Sequence, residues 1–140
     1  AHGVTLTCES EARIRLYGNR LKFTQALSNL ISNALDACIE SGRDMTTVTI
    51  RCTRVKTHVE ISVEDTGNGI PEAVQGRLFQ PFVSTKKARG TGLGLISTQK
   101  IVEEDFGGNI RVHTCAGVGT TCTLSFPARV NSTVLKTSSK

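Results

Sequence analysis

Arg20–Ser41 reads RLKFTQALSNLISNALDACIES, and its periodicity sets the frame for the rest of the chain. Phe23, Leu27, Leu30, Ile31, Ala34 and Cys38 recur at steps of three and four residues, which predicts one long helix with a single core face. Asn19 is placed to cap its start, and Ser41-Gly42 stops it. A second stripe is polar. Gln25, Asn29, Asn33 and Asp36 step by four, four and three residues, so they share a narrow face, read here as opposite the core face. Two asparagines on one stripe are a poor choice for solubility alone, because asparagine is a mediocre helix former.

Downstream, Thr46–Val55 and His58–Glu64 alternate apolar with polar positions and predict a hairpin. Asp65–Ile70, DTGNGI, is a glycine-rich turn, and Pro71 fits the first turn of a short helix running towards Phe79. Pro81–Gly90 lacks periodicity and carries Lys86, Lys87 and Arg89, so it reads as a loop. Leu93–Glu104 returns to a helical pattern and ends at Gly107-Gly108. Asn109–His113 and Thr120–Phe126 predict a last hairpin turning at Ala116–Gly119. Upstream, Val4–Cys8 and Arg13–Tyr17 predict two short strands. Hairpins with three helical segments, without regular βαβ alternation, predict an α/β two-layer sandwich. One domain over residues 1–127 is expected, followed by a polar, flexible tail over 128–140.

Composition narrows the classes. The 140 residues carry a net charge of +5, are 38% hydrophobic and 21% charged, and include no tryptophan. The basic residues are scattered, and no aromatic-studded basic sheet is available to stack bases. The charge therefore favours an anionic ligand over nucleic acid. Five cysteines show neither a CxxC pair nor zinc spacing; Cys52 and Cys122 share strand parity with apolar neighbours and read as small buried hydrophobes. Free thiols point to a reducing compartment. No apolar run approaches the length of a membrane span.

Three features carry chemistry. An amide oxygen on the Asn29/Asn33 stripe can ligate magnesium without adding charge. Asp65 stands at a predicted strand end beside glycine-rich backbone, where a carboxylate can accept an amino proton from a base. Gly90-Thr91-Gly92-Leu93-Gly94-Leu95 runs into a helix and offers N–H groups to phosphate. No GK[ST] follows it and no strand precedes it, so it is neither a Walker loop nor a Rossmann fingerprint.

Order joins these features. NLISNALDA (29–37), DTGNGI (65–70), FQPFVSTK (79–86) and GTGLGL (90–95) resemble the N box, first glycine box, F box and second glycine box of the GHKL ATPases and kinases. Within that group the likeness is greatest to bacterial sensor histidine kinases, and Gly117–Pro127 resembles their closing strand. The short segment between Phe82 and Gly90, with PFVSTK, is similar to the nitrogen-sensing subgroup.

The resemblance implies a Bergerat fold: a mixed, mainly antiparallel sheet on three helices, with ATP and Mg2+ as ligands. It implies that Asp65 reads the adenine amino group, that Gly67, Gly69 and Ile70 border the base, and that Thr120 supports the site. Asn33 resembles the magnesium ligand, with Asn29 a further candidate and Asp36 on the same stripe. Phe82, Thr85, Lys86, Gly90, Thr91, Gly92, Leu93, Gly94 and Leu95 would form the lid and its hinge over the triphosphate. Asn29 and Lys86 are the implied catalytic residues. Relatives that hydrolyse ATP commonly carry glutamate where Asn29 stands, and an amide cannot act as a general base, so transfer to an acceptor is expected rather than hydrolysis.

The implied acceptor is a histidine on a separate dimerisation domain of the same parent protein, with a response regulator downstream. None of His2, His58 and His113 lies in such a context. The fragment is expected to be monomeric and cytoplasmic, to touch neither membrane nor nucleic acid, and to keep Gln80–Thr91 mobile when empty. A serine kinase of the anti-sigma kind, a mismatch-repair or topoisomerase-like ATPase, and a nucleotide-dependent interaction module without transfer are the alternatives.

Overall fold

The computed structural model describes residues 3–10, 14, 16, 18–76, 78–79 and 94–127. A long helix, α1 (Arg20–Ser41), starts where the Asn19 side chain accepts from the Lys22 N–H at 3.0 Å. It ends where Gly42 turns left-handed, at φ 72°. Ala26, Leu30, Ala34 and Cys38 are buried along it.

Among the described residues, five strands form one sheet: β1 (Gly3–Ser10), β2 (Met45–Val55), β3 (His58–Asp65), β4 (Asn109–Cys115) and β5 (Gly119–Pro127), in the order β1-β2-β3-β5-β4. β1 lies parallel to β2, and the other three pairings are antiparallel. The sheet is therefore mixed and mainly antiparallel, packed on helices as expected. Strand alternation explains the packing: Val48 on β2, Val59, Ile61 and Val63 on β3, and Leu124 and Phe126 on β5 are buried with Leu30 and Ala34 of α1. Phe126 also stands 5.4 Å, centroid to centroid, from Phe106, edge to face, with Phe23 completing the trio.

Among the described residues two shorter helices follow, α2 (Glu72–Gln75) and α3 (Gly94–Lys100); α3 packs on α1 and widens into a π-helical turn over Ile101–Asp105. That turn buries Ile101 and Val102, and the Val102 carbonyl accepts from Gly108 N–H at 2.9 Å.

Four expectations change. The helix from Pro71 towards Phe79 is one turn long and stops at Gly76. The segment read as a helix over 93–104 is α-helical only to Lys100. At 13–17, Ile14 and Leu16 are described and neither is in a strand, although Leu16 is buried in the core. Alternation reports which side chains turn inward, and a covering segment can alternate without joining a ladder. The polar stripe of α1 is not opposite the core. At about 100° per residue, Asn33 lies only about 60° from Leu30 and Asn29 about 100°, and both are half-buried. The expected lid 80–91 and tail 128–140 fall outside the described residues.

All five cysteines are free. Cys8 and Cys115 are exposed, Cys38 is buried, and burial pushes the Cys122 thiol up to about 12. A thiol reagent at pH 8 should label Cys8 and Cys115 quickly and spare Cys38 and Cys122 until the chain unfolds. Mass spectrometry of the labelled peptides checks this, and early labelling of Cys122 would contradict the packing of β5.

Candidate functional site

β3 ends at Asp65, whose backbone pairs in register with Thr120 of β5. The strand carries Asp65 inward on the same face as Val59, Ile61 and Val63, so the carboxyl is only 6% exposed. Burial raises its pKa above the ordinary 3.8; the N–H groups of Gly67 and Thr120 pull it partly back, and nearby Glu64 adds a smaller upward push. Asp65 Oδ1 accepts from Gly67 N–H at 2.9 Å. The residue is thus an acceptor held at the strand end by backbone donors.

The glycines beside it are required by close approach. A Cβ on Gly67 would lie 2.6 Å from the Ala37 carbonyl of α1. Gly69 sits at φ 74°, and a Cβ there would meet the Cys115 carbonyl oxygen at 2.3 Å. The turn is therefore wedged between α1 and the end of β4.

A hydroxyl relay closes this side. Ile70 N–H donates to Thr114 Oγ1 at 2.9 Å, and Thr114 Oγ1 lies 2.8 Å from Thr120 Oγ1. Gln75 of α2 donates to the Ile70 carbonyl at 2.8 Å, which fixes the exit from the turn. The loop is also tied to β2, where Thr66 Oγ1 accepts from Thr47 N–H at 2.9 Å. On α1, the Asn29 carboxamide donates to Thr98 Oγ1 of α3 at 3.4 Å, and Thr98 is fully buried.

The structure thus brings Asp65, Gly67, Gly69, Ile70 and Thr120 together, and sets Asn29 between α1 and α3. Asn33 and Asp36 follow Asn29 on α1 and are half-buried. Gly94 opens α3, and Leu95 packs against the core. Phe82, Thr85, Lys86, Gly90, Thr91, Gly92 and Leu93 lie outside the described residues.

Comparison with known proteins decides the family. Residues 18–130 match the histidine kinase-, DNA gyrase B-, and HSP90-like ATPases. The chain belongs to that family. It is 35% identical over 123 residues to the signal transduction histidine-protein kinase BarA of Escherichia coli strain K12, covering 84% of this chain and 13% of BarA. Among solved structures it resembles the nucleotide-free catalytic domain of histidine kinase ThkA, with a TM-score of 0.74, 31% identity, and coverage of 89% of this chain and 79% of that one. A structure of ThkA in complex with the response regulator protein TrrA matches at a TM-score of 0.71 and 27% identity, over 90% of this chain and 34% of that one. The chain therefore spans a small part of the full-length kinase BarA and most of the catalytic domain of ThkA.

Membership in this ATPase family implies nucleotide binding, and the turn fits it. Asp65 is a buried acceptor at a strand end, and Gly67 and Gly69 let the turn beside it pack directly on α1 and the end of β4. Sequence reasoning missed three contributors. Thr114 and Thr98 look like ordinary strand and helix residues until their hydroxyl partners are known. Arg43, which donates to the carbonyls of Thr66, Gly67 and Gly117, had one usable signal: it immediately follows the Ser41-Gly42 stop.

Proposed function

We propose that the chain is the catalytic domain of a sensor histidine kinase, which binds Mg-ATP and donates the γ-phosphoryl group to a histidine on a separate dimerisation domain. The observation that carries the reading is Asp65, buried at the end of β3 with one carboxylate oxygen committed to Gly67 N–H. In this reading its remaining acceptor capacity takes the adenine amino group, with Ile70 and Thr120 bordering the base. Phosphorylation of a response regulator by the parent protein, a cytoplasmic location, and a place in the nitrogen-sensing subgroup belong to the same proposal.

Asn33, and Asn29 one turn before it, supply neutral carboxamides on the phosphate side, a donor set suited to Mg2+ that phosphates already neutralise. When bound, the ion would supply charge stabilisation to the phosphates. Asn29 is held by Thr98 and cannot remove a proton from water. Positioning of the phosphoryl group for an external acceptor is then the chain's task, with Lys86 and the 90–95 segment as the proposed phosphate contacts.

The deciding experiment mixes the chain, labelled ATP, Mg2+ and a histidine-bearing helical dimerisation domain. Acid-labile, base-stable label on that domain is the expected product. Label on serine would indicate a serine kinase, and bound ATP without transfer to any acceptor would indicate an interaction module. Thr98→Val frees the Asn29 amide, and transfer should fall about two- to tenfold, the worth of one neutral hydrogen bond, with ATP affinity held. Unchanged single-turnover rates would remove Thr98 from the account.

A further inference from the structure

The left-handed Gly42 ends α1 with its N–H bonded to the Ile39 carbonyl at 3.2 Å. Arg43 follows directly and reaches the Asp65–Gly69 turn. Its Nη1 donates to the carbonyls of Thr66 and, at 3.1 Å, Gly67; its Nη2 donates to the Gly117 carbonyl at 2.5 Å. Gly117 N–H in turn donates to the Asn68 carbonyl at 2.5 Å. One guanidinium therefore joins the turn after β3 to the turn between β4 and β5.

The Thr66 carbonyl and the Gly67 N–H belong to one planar peptide group. Its oxygen accepts from Arg43, and its N–H donates to Asp65 Oδ1 at 2.9 Å. A cation at one end and a carboxylate at the other polarise the same amide in the same sense, so each hydrogen bond strengthens the other. Rotating that plane would break both. The guanidinium fork suits this task because its donors are fixed in one plane, whereas a lysine ammonium would reach the carbonyls as a single point charge.

We propose that Arg43 is a positioning residue for base selection: it clamps the Thr66–Gly67 peptide, commits Asp65 Oδ1 to the backbone, and so aims the remaining carboxylate oxygen at the exocyclic amino group of a purine. The inference rests on the reading of Asp65 as the adenine acceptor. It goes further in making selectivity depend on a side chain outside the base pocket. Without the clamp, the carboxylate keeps the Thr120 N–H but loses a fixed Gly67 donor. It can then turn about that remaining contact, and an amino purine loses its advantage over a keto purine that binds through the same phosphates.

The test compares Mg-ATP with Mg-ITP, which carries a keto oxygen in place of the amino group, by calorimetry on wild type, Arg43→Met and Arg43→Lys. Amide hydrogen exchange at Gly67 is followed without nucleotide, and thermal unfolding is recorded for each chain. Wild type should prefer ATP about tenfold or more. Arg43→Met should bring that ratio down to about twofold or less and expose the Gly67 amide to exchange, with Arg43→Lys recovering only part of either. A Met variant that keeps both the wild-type ratio and Gly67 protection, whatever its melting temperature, would reduce Arg43 to a structural strut and overturn the inference alone. Should that variant fail to fold, an unchanged ratio in Arg43→Lys would do the same. Equal binding of the two nucleotides by wild type would overturn the reading of Asp65, and the inference with it.

Discussion

Asp65→Asn should weaken Mg-ATP binding about tenfold or more while leaving the chain folded. The substitution keeps shape and burial but exchanges an anionic acceptor for an amide, so the charged hydrogen bond to the base amino group is lost. Such bonds are worth about 1.5–3 kcal/mol, which converts to roughly one to two orders of magnitude in affinity. Calorimetry at neutral pH reads the loss directly, and wild-type affinity in the variant would remove Asp65 from base recognition.

The same variant reports on pH. Burial, the largest influence, holds the Asp65 carboxyl above its ordinary 3.8 in the folded chain. Between 3.8 and that raised value the folded state binds more protons than the unfolded state, so stability falls as pH rises through the window. Below the window both states are protonated and the slope vanishes. Asp65→Asn should remove this descending contribution, so the difference in stability between variant and wild type should shift in the variant's favour as pH rises. A difference independent of pH across the window would contradict the burial of the carboxyl.

Phe126→Ala should cost about 3–5 kcal/mol, the range for truncating a buried aromatic side chain. Phe126 is 2% exposed, and its ring contacts Phe106 edge to face and Phe23 at a tilt. The change therefore removes transfer energy and leaves a cavity where β5, α1 and the end of the α3 region meet. Against a total stability of about 5–15 kcal/mol for an ordinary domain, that loss is large. Urea unfolding measures it, and a cost under about 1 kcal/mol would mean that the three rings do not form the joint described. Nucleotide affinity per folded molecule should survive, because Phe126 lies six positions along β5 from Thr120.

Much of this architecture is legible in the sequence because its signals are local. Asn19, the apolar stripe and Ser41-Gly42 give α1 both ends, and alternation gives β2, β3 and β5 nearly to the residue. Asp65 at a strand end beside Gly67 and Gly69 is visible because close-approach glycines leave a composition signal. What escaped depends on contacts between distant segments. The parallel pairing of β1 with β2 has no local marker, and the switch from α to π geometry after Lys100 is set by packing around Ile101 and Val102. Arg43 reads as one charge among many until its three carbonyl partners converge from two turns. The Asn29/Asn33 face differs for a simpler reason: polarity alone points to the side away from the core, whereas half-buried asparagines flank it.

As proposed, this turn holds the base of ATP while Asn29 and Asn33 of α1 face its phosphates. Titrating the isotope-labelled chain with Mg-ATP while following backbone amide shifts tests it most directly. Saturable shifts are expected at Gly67, Gly69, Ile70 and Thr120, with Asn29 and Asn33 responding on the phosphate side and little change along β1. A folded chain that shows no shifts, or shifts centred on the opposite end of the sheet around Glu9 and Thr53, would contradict it.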